Sequence, residues 1–458
     1  MKILKFGGTS VGTPESIRKV IEIVRAAAAD ESCVVVVSAF TKVTDKLIDV
    51  CEASALGGDY QASLQELERR HVEAVSELIS FADQSSLVAE VKASCNELAD
   101  ILRGLSLLGE LTPRARDLVM SFGERLSATV IAAALKGGGL PATLLDAREC
   151  IKTDSQYGHA QVLFAETVSL VRRYFHERRS VTVVTGFIAS TIDGHTTTLG
   201  RGGSDYTASI LGAALDASAI EIWTDVDGVM TADPRIVPQA RRIRKTTYEE
   251  TMELSYFGAK VIYYPTIIPA REHHIPLVIK NTFNPDALGT NIGDEPSSDH
   301  SPVTAITSVA PIVLLQIKGV GLIGTKGMAR RVFGALADAT INVILISQAS
   351  SEYSICIAIA AHEKDHALAT LASEFELEII QKRIDPICAE NESAIIAVVG
   401  ARMRETPGTV GRVFSAVGSR KINVRAIAQG SSELNISFVV SESDKEEAIR
   451  AIHDEFFV

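Results

Sequence analysis

Near its start the chain carries Lys5-Phe6-Gly7-Gly8-Thr9-Ser10, a lysine and two glycines followed by two hydroxyl residues. At the end of a strand and the start of a helix, that order gathers a cation, open backbone N–H groups and a helix N-terminus, which suits phosphate. A tight turn with a solvated lysine is the plain alternative. Gly200-Arg201-Gly202-Gly203-Ser204-Asp205 repeats the theme before a helical stretch with Ala208, Leu211 and Leu215 on one face. Asp205 could act on bound phosphates or simply cap the helix. Trp223-Thr224-Asp225-Val226-Asp227-Gly228 follows a strand-like run, with Asp233-Pro234-Arg235 just beyond. Ligands of open α/β sheets bind at strand C-terminal ends and a guanidinium suits phosphate, although an acidic turn needs no ligand. Ser121-Phe122-Gly123-Glu124-Arg125 sets a carboxylate beside a glycine, and Phe257-Gly258-Ala259-Lys260 carries a lysine that could reach a phosphate. A surface ion pair and a solvated helix end are their ordinary readings. No Gly-x-x-x-x-Gly-Lys-Ser/Thr occurs, so a nucleotide here is not held by a Walker loop.

The elements that must position these groups follow from the spacing of apolar residues. Met1 to Phe6 reads as a buried strand, and the next helix sets Ile17, Val20, Ile21 and Val24 on one face. Val34 to Val37, Thr182 to Thr185 and Ala219 to Trp223 continue an alternation of strands with amphipathic helices. This predicts an α/β domain with a mainly parallel sheet covered by helices. Cys51 to Arg103 reads as continuous helix. Asp286 to Pro302, rich in Asp, Pro, Ser and Gly, reads as a linker.

Beyond the linker the sequence repeats at a constant offset of 81 positions. Arg331-Val332-Phe333 matches Arg412-Val413-Phe414, Ile341-Asn342-Val343 matches Ile422-Asn423-Val424, and Gln348 matches Gln429. Each repeat reads strand, loop, helix, strand, strand, helix, an α+β unit with helices on one sheet face. Two such units could pair edge strands. Gly319-Val320-Gly321-Leu322-Ile323-Gly324 fits a dinucleotide-binding pattern, but the matching loop at Gly400 lacks its second and third glycines. It is better read as a loop of the repeat.

Composition bounds the rest. With 458 residues the prior is roughly three domains. A hydrophobic share of 46% and a charged share of 22% describe an ordinary globular chain. The net charge of −12 argues against nonspecific binding to nucleic acid or anionic membranes, so an anionic ligand must be captured locally. Charge or glycine interrupts each apolar stretch before the ~18 residues of a membrane span. The 6 cysteines form no Cys-x-x-Cys, so neither a zinc site nor a redox dithiol is expected. With no signal-peptide pattern at the start, the cytoplasm is the expected compartment.

Taken together, KFGGTSV at the start, SFGERLS at 121 to 127, TLGRGGSDYTA at 198 to 208, WTDVDGV with DPR at 223 to 235 and ELSYFGAKV at 253 to 261 resemble the aspartate kinases of the amino-acid kinase superfamily. The resemblance runs from Met1 to Val458, with the repeats similar to that family's paired ACT domains. It implies a carbamate-kinase-like αβα sandwich over 1–298, followed by ferredoxin-like α+β ACT units at 305–386 and 387–458. The implied reaction transfers the γ-phosphoryl of ATP, carried with Mg²⁺, to the side-chain carboxylate of L-aspartate, on the route to lysine, threonine and methionine. No resident protein metal site is implied.

By the same resemblance, Lys5 and Asp205 are the catalytic pair. Ser38, Thr44, Glu124, Arg201 and Ser204 hold the amino acid. Lys5, Gly7, Gly8, Thr224, Asp225, Met230, Arg235, Lys260 and Val261 belong to the ATP site. Met230 stands where members commonly carry tyrosine, a departure from the family pattern. Asn342, Gln348, Asn423 and Gln429 match effector-contacting positions, which favours threonine as inhibitor; Glu352 and Glu433 keep lysine open. The ACT units imply a homodimer or homotetramer. The absence of a homoserine dehydrogenase half leads to the expectation of a monofunctional kinase. The alternatives are another carboxylate kinase, such as one acting on glutamate, and a noncatalytic amino-acid sensor.

Overall fold

The computed structural model describes the chain apart from residues 177, 179, 260, 261, 297–300, 323, 324 and 349–352. It divides into two compact units, one of Met1–Val229, Arg244–Tyr248 and Val261–Glu295, the other of Met230–Ile243, Glu249–Lys260 and Pro296–Val458.

Strands of the first unit are β1 (Lys2–Phe6), β2 (Cys33–Val37), β3 (Ala142–Leu145), β4 (Lys152–Thr153), β5 (Val181–Thr185), β6 (Ile188–Thr191), β7 (Thr196–Thr198), β8 (Ala219–Thr224), β9 (Lys245–Thr247), β10 (Leu277–Asn281) and β11 (Thr290–Gly293). An 8-stranded sheet runs β3-β5-β2-β1-β8-β10-β11-β9, and β4, β6 and β7 form a smaller sheet. In the large sheet the β10–β11 pairing is antiparallel and the others are parallel. β1 is central, and Cys33 to Val37 are all buried, as expected of a β-branched run covered on both faces. Thr13 caps helix Pro14–Asp30, with Pro14 at its first position. Ile17, Val20 and Val24 bury their side chains there, and Ile21 packs partly exposed.

Two expectations need correction. The segment expected as continuous helix is three helices, Val43–Ala55, Gln61–Leu78 and Phe81–Leu108. One break falls at Gly57, whose φ of +70° suits glycine. The expected linker after Asp286 contains β11, whose register with β10 is fixed by pairs such as Leu277 with Ile292. Among the described residues one helix, Pro113–Gly137, is long and apolar enough to cross a membrane, and 72% of its most apolar window is buried inside the protein.

The second unit contains β12 (Ala305–Lys318), β13 (Val343–Gln348), β14 (Ser354–Ala360), β15 (Cys388–Val399), β16 (Ala426–Gln429) and β17 (Asn435–Ser441). They form a 6-stranded sheet in the order β13-β14-β12-β15-β17-β16, antiparallel throughout. Each repeat shows the expected strand, helix, strand, strand, helix order. The repeats meet through β12 and β15, their long first strands, and each crosses into its neighbour's territory. Ala305 to Val309 pair with Ile395 to Val399, while Gln316 pairs with Cys388. Ile306 is buried with Val413, Phe438 and Ile452 of the later repeat. Ala389 packs on the Val332, Ile357 and Leu371 core of the earlier one. A β-carbon on Gly319 or Gly321 would stand 2.3 or 2.9 Å from the Arg383 carbonyl oxygen. Those two glycines of the dinucleotide-like pattern are thus explained by close packing; Ile323 and Gly324 lie outside the described residues.

Candidate active site

The C-terminal ends of the parallel strands in the first unit surround a cavity of about 370 Å³. Lys5 is the penultimate residue of β1, Ser38 to Thr41 follow β2, Phe187 follows β5, and Gly200 to Asp205 run into the first turn of helix Gly203–Ala214. Open α/β sheets place ligands at this rim because loops and helix starts converge there.

Of the residues expected at the chemistry, Lys5, Gly8, Ser38, Thr44, Glu124, Arg201, Ser204 and Asp205 all line the cavity. Lys5 is 8% exposed and its Nζ forms an ion pair with Asp205 Oδ1. Asp205 sits in the first turn of its helix after Gly202, whose φ of +67° makes the tight entry. The helix start thus offers partial positive charge beside Lys5.

Glu124 projects from helix Pro113–Gly137 and is 3% exposed. Its Oε1 accepts a hydrogen bond from the Ala39 backbone N–H at 3.2 Å, while Oε2 is buried with no hydrogen-bond partner among the described residues. Burial pushes its carboxyl up to about 8, against the opposing pull of the Ala39 hydrogen bond and of Lys5. Arg201, of opposite charge, is exposed at the same cavity. Such a site can clamp a zwitterion between carboxylate and guanidinium.

Gly7 departs from expectation. Its amide donates to the Trp223 carbonyl at 3.0 Å, so it closes the sheet, and Gly8 is the glycine that reaches the cavity. A β-carbon at Gly7 would meet Lys5 Nζ only at ordinary contact distance, 3.6 Å, so sterics alone do not demand glycine there. Thr224 ends β8 in the first unit and Asp225 follows it, with the Thr224 hydroxyl donating to Asp225 Oδ1 at 3.2 Å. Met230 and Arg235 fall in the second unit, where Arg235 is exposed and held by Asp233 at 2.6 Å. Lys260 and Val261 lie outside the described residues.

Motif reading missed several contributors. Ala39 acts through its backbone, which no side-chain signal announces. Phe40 lines the cavity and stacks on His71 at 4.5 Å between ring centroids. Thr41 Oγ1 donates to the Gly8 carbonyl at 2.7 Å and Ser127 Oγ to the Ser38 carbonyl at 2.7 Å. Lys42 and Phe187, with φ of 63° and 65°, also line the cavity. The non-glycine left-handed backbone at both was not readable from the sequence.

In the second unit, Gln348 and Gln429 are exposed at the ends of β13 and β16, the outer strands of the sheet. Those strands approach through the Ser347 hydroxyl, which donates to the Ile427 carbonyl at 3.0 Å. Asn342 and Asn423 are exposed just before them. Asn423 lines a cavity of about 470 Å³ with Glu390, Asn391, Val424 and Arg425.

The amino acid kinase family model matches residues 1–281, and an ACT domain model matches 315–375 and 396–456. Aspartokinase 1, chloroplastic, of Arabidopsis thaliana is 33% identical over 99% of this chain and 80% of its own length. This chain belongs to the aspartokinase family. The aspartokinase match extends to the bifunctional aspartokinase/homoserine dehydrogenase 1, chloroplastic, of Zea mays, at 37% identity over 99% of this chain and 50% of the relative. The chain thus spans about half the length of that bifunctional aspartokinase. E. coli aspartokinase III, solved in complex with aspartate and ADP, has 27% identity and a TM-score of 0.84, covering 100% of both chains. The same aspartokinase in complex with lysine and aspartate gives a TM-score of 0.81 at 27% identity, again over 100% of both chains.

Proposed function

We propose that this chain is an ATP-dependent aspartate kinase that moves the γ-phosphoryl group of ATP onto the side-chain carboxylate of L-aspartate, giving 4-phospho-L-aspartate. The observation that carries the reading is one cavity holding the Lys5–Asp205 pair together with the oppositely charged Glu124 and Arg201. In support, an aspartokinase of the same fold is solved with aspartate and ADP.

A carboxylate nucleophile has a reference pKa near ~3.9 and is ionised at neutral pH, so no strong base is required. The obstacle is repulsion between two anions, and positioning with charge stabilisation dominates such transfers. Glu124 receives the α-ammonium group and Arg201 the α-carboxylate, with Ser38, Thr44 and Ser204 adding neutral hydrogen bonds. The side-chain carboxylate is thereby turned toward Lys5. Lys5 neutralises charge on the group in transfer, and Asp205 holds the lysine in place. Mg²⁺ comes with the triphosphate; Asp205, an acidic group beside the phosphate-facing lysine, fits an ion carried there. Gly8 gives close backbone approach to the phosphates, and Thr224 and Asp225 belong to the nucleotide side. Met230, Arg235, Lys260 and Val261 are proposed nucleotide contacts by family resemblance alone.

The assay is ATP consumption dependent on L-aspartate, with the acyl phosphate trapped by hydroxylamine. Equal turnover of L-glutamate would overturn the substrate assignment in favour of a broader carboxylate kinase. No turnover with either leaves a noncatalytic sensor. The repeats at 305–386 and 387–458 are proposed as regulatory ACT units that join chains into dimers or tetramers and bind threonine in preference to lysine, through Asn342, Gln348, Asn423 and Gln429.

A further inference from the structure

Arg201 is exposed and carried on a loop, so something must fix where its guanidinium enters the cavity. Asp117 is fully buried on helix Pro113–Gly137, seven residues before Glu124 and therefore on nearly the same helical face. Its Oδ2 accepts from the backbone N–H of Gly158 and of Thr198, each at 2.9 Å. Its Oδ1 accepts from the Thr198 hydroxyl at 2.8 Å. Thr198 ends β7 and leads through Leu199 directly into Gly200 and Arg201.

The two segments that meet at Asp117 are also joined to each other. The Ala160 N–H donates to the Thr198 carbonyl at 3.1 Å. A β-carbon on Gly200 would stand 3.2 Å from the Gly158 carbonyl oxygen, so the backbone behind Arg201 rests against the 158–160 segment. Burial pushes the Asp117 carboxyl up, while the Gly158 and Thr198 hydrogen bonds pull it down. A carboxylate at that depth is retained only where its acceptors are used, and here the named donors all lie on the wall of the Arg201 loop.

We propose that Asp117 is a positioning residue that fixes the Arg201 loop, so that one helix sets both arms of the amino-acid clamp, Glu124 directly and Arg201 through Asp117. The proposal rests on the clamp reading above. Truncation leaves the buried N–H and hydroxyl of Thr198 and the part-buried N–H of Gly158 without their acceptor and frees the loop. An amide replaces the carboxylate closely, since its oxygen accepts from both N–H groups and its NH₂ donates to the Thr198 hydroxyl oxygen.

The test compares Asp117→Ala, Asp117→Asn and Thr198→Val in the full chain, with Arg201→Ala alongside. In ligand-free protein, amide exchange over 198–203 should accelerate at least ~10-fold in Asp117→Ala and stay near the wild-type rate in Asp117→Asn. KM for L-aspartate should rise at least ~10-fold in Asp117→Ala with KM for ATP within ~2-fold, and Asp117→Asn should restore it. Thr198→Val should show a smaller change in the same direction, and it carries the test if Asp117→Ala does not fold. Unchanged exchange and unchanged KM in the folded variants overturn the proposal. If Arg201→Ala leaves KM for L-aspartate unaltered, the clamp reading fails instead, and the exchange result still decides what Asp117 does to the loop.

Discussion

On the proposed clamp, Glu124 must be ionised to meet the α-ammonium group, whereas its burial favours the protonated carboxyl. With its carboxyl raised to about 8, the free site at neutral pH is mostly protonated, and binding an ammonium requires the ionised form. Affinity for L-aspartate should therefore strengthen as pH rises, with KM falling about tenfold per unit between roughly pH 6 and 7.5 and levelling near 8. The slope should vanish in Glu124→Gln, and calorimetry in buffers of different ionisation enthalpy should detect proton release on binding to the wild type. His71, beside Phe40, does not compete for this assignment, because burial holds it down to about 4. Stability shows the same linkage. The folded state binds the Glu124 proton more tightly than the unfolded state, so this group's contribution is present at low pH and is lost as pH rises toward and through about 8. Ligand-free Glu124→Gln should accordingly gain melting temperature over wild type at pH 9 more than at pH 6. Lys5→Ala should lower kcat at least ~10²-fold through lost charge stabilisation, and an unchanged kcat would remove Lys5 from its role.

Helix Gly203–Ala214 can bring Ser204 to the cavity because Gly186 has no side chain. The Gly186 amide is fixed to the Val37 carbonyl at 2.9 Å, and a β-carbon on it would lie 2.6 Å from Ser204 Cβ and 3.0 Å from Ser204 Cα. Neither side can yield without moving the helix start or the sheet rim. Gly186→Ala should therefore destabilise by about 1–3 kcal/mol, as overpacking does, and lower kcat/KM for L-aspartate by at least ~10-fold. Thermal melts and steady-state kinetics on one preparation separate the two effects. This dependence on close approach also explains what the sequence made legible. Lys5, Arg201 and Asp205 stand out because charged side chains lie close to glycines at a strand end or a helix start, Glu124 because it follows a glycine inside a helix, and strand–helix alternation already implied the parallel sheet. Ala39, Phe187, Gly186 and Asp117 were silent because each acts through a backbone group, a steric gap or a partner more than 40 positions away. Gly7 misled for a related reason, since its amide completes the sheet, which depends on where β8 runs. The break at Gly57 had a local signal in Gly57-Gly58, outweighed by the helix-forming residues on both sides.

At the scale of the whole molecule, duplication gives the chain two chemically similar edges. Gln348 and Gln429 end corresponding strands, and the crossing of β12 and β15 makes each repeat depend on residues from the other. A ligand that orders one repeat should therefore be felt by both, the coupling expected of a two-state regulatory unit. A glutamine amide can donate to and accept from a hydroxyl, whereas a lysine ammonium calls for a carboxylate. Glu433 is exposed with φ of 55°, and Glu352 lies outside the described residues. Titrating the two amino acids separately should show inhibition by threonine at concentrations where lysine has little effect, and Gln429→Ala or Gln348→Ala should weaken it. The reverse order would assign the effector site to lysine. Linkage makes a further demand: if threonine weakens the binding of L-aspartate by some factor, L-aspartate must weaken threonine by the same factor. Equilibrium binding of threonine with and without L-aspartate measures that factor directly. A threonine effect on rate with no reciprocal effect on binding would place the inhibition on a kinetic step, and a thermodynamic linkage between threonine and L-aspartate binding would have to be abandoned.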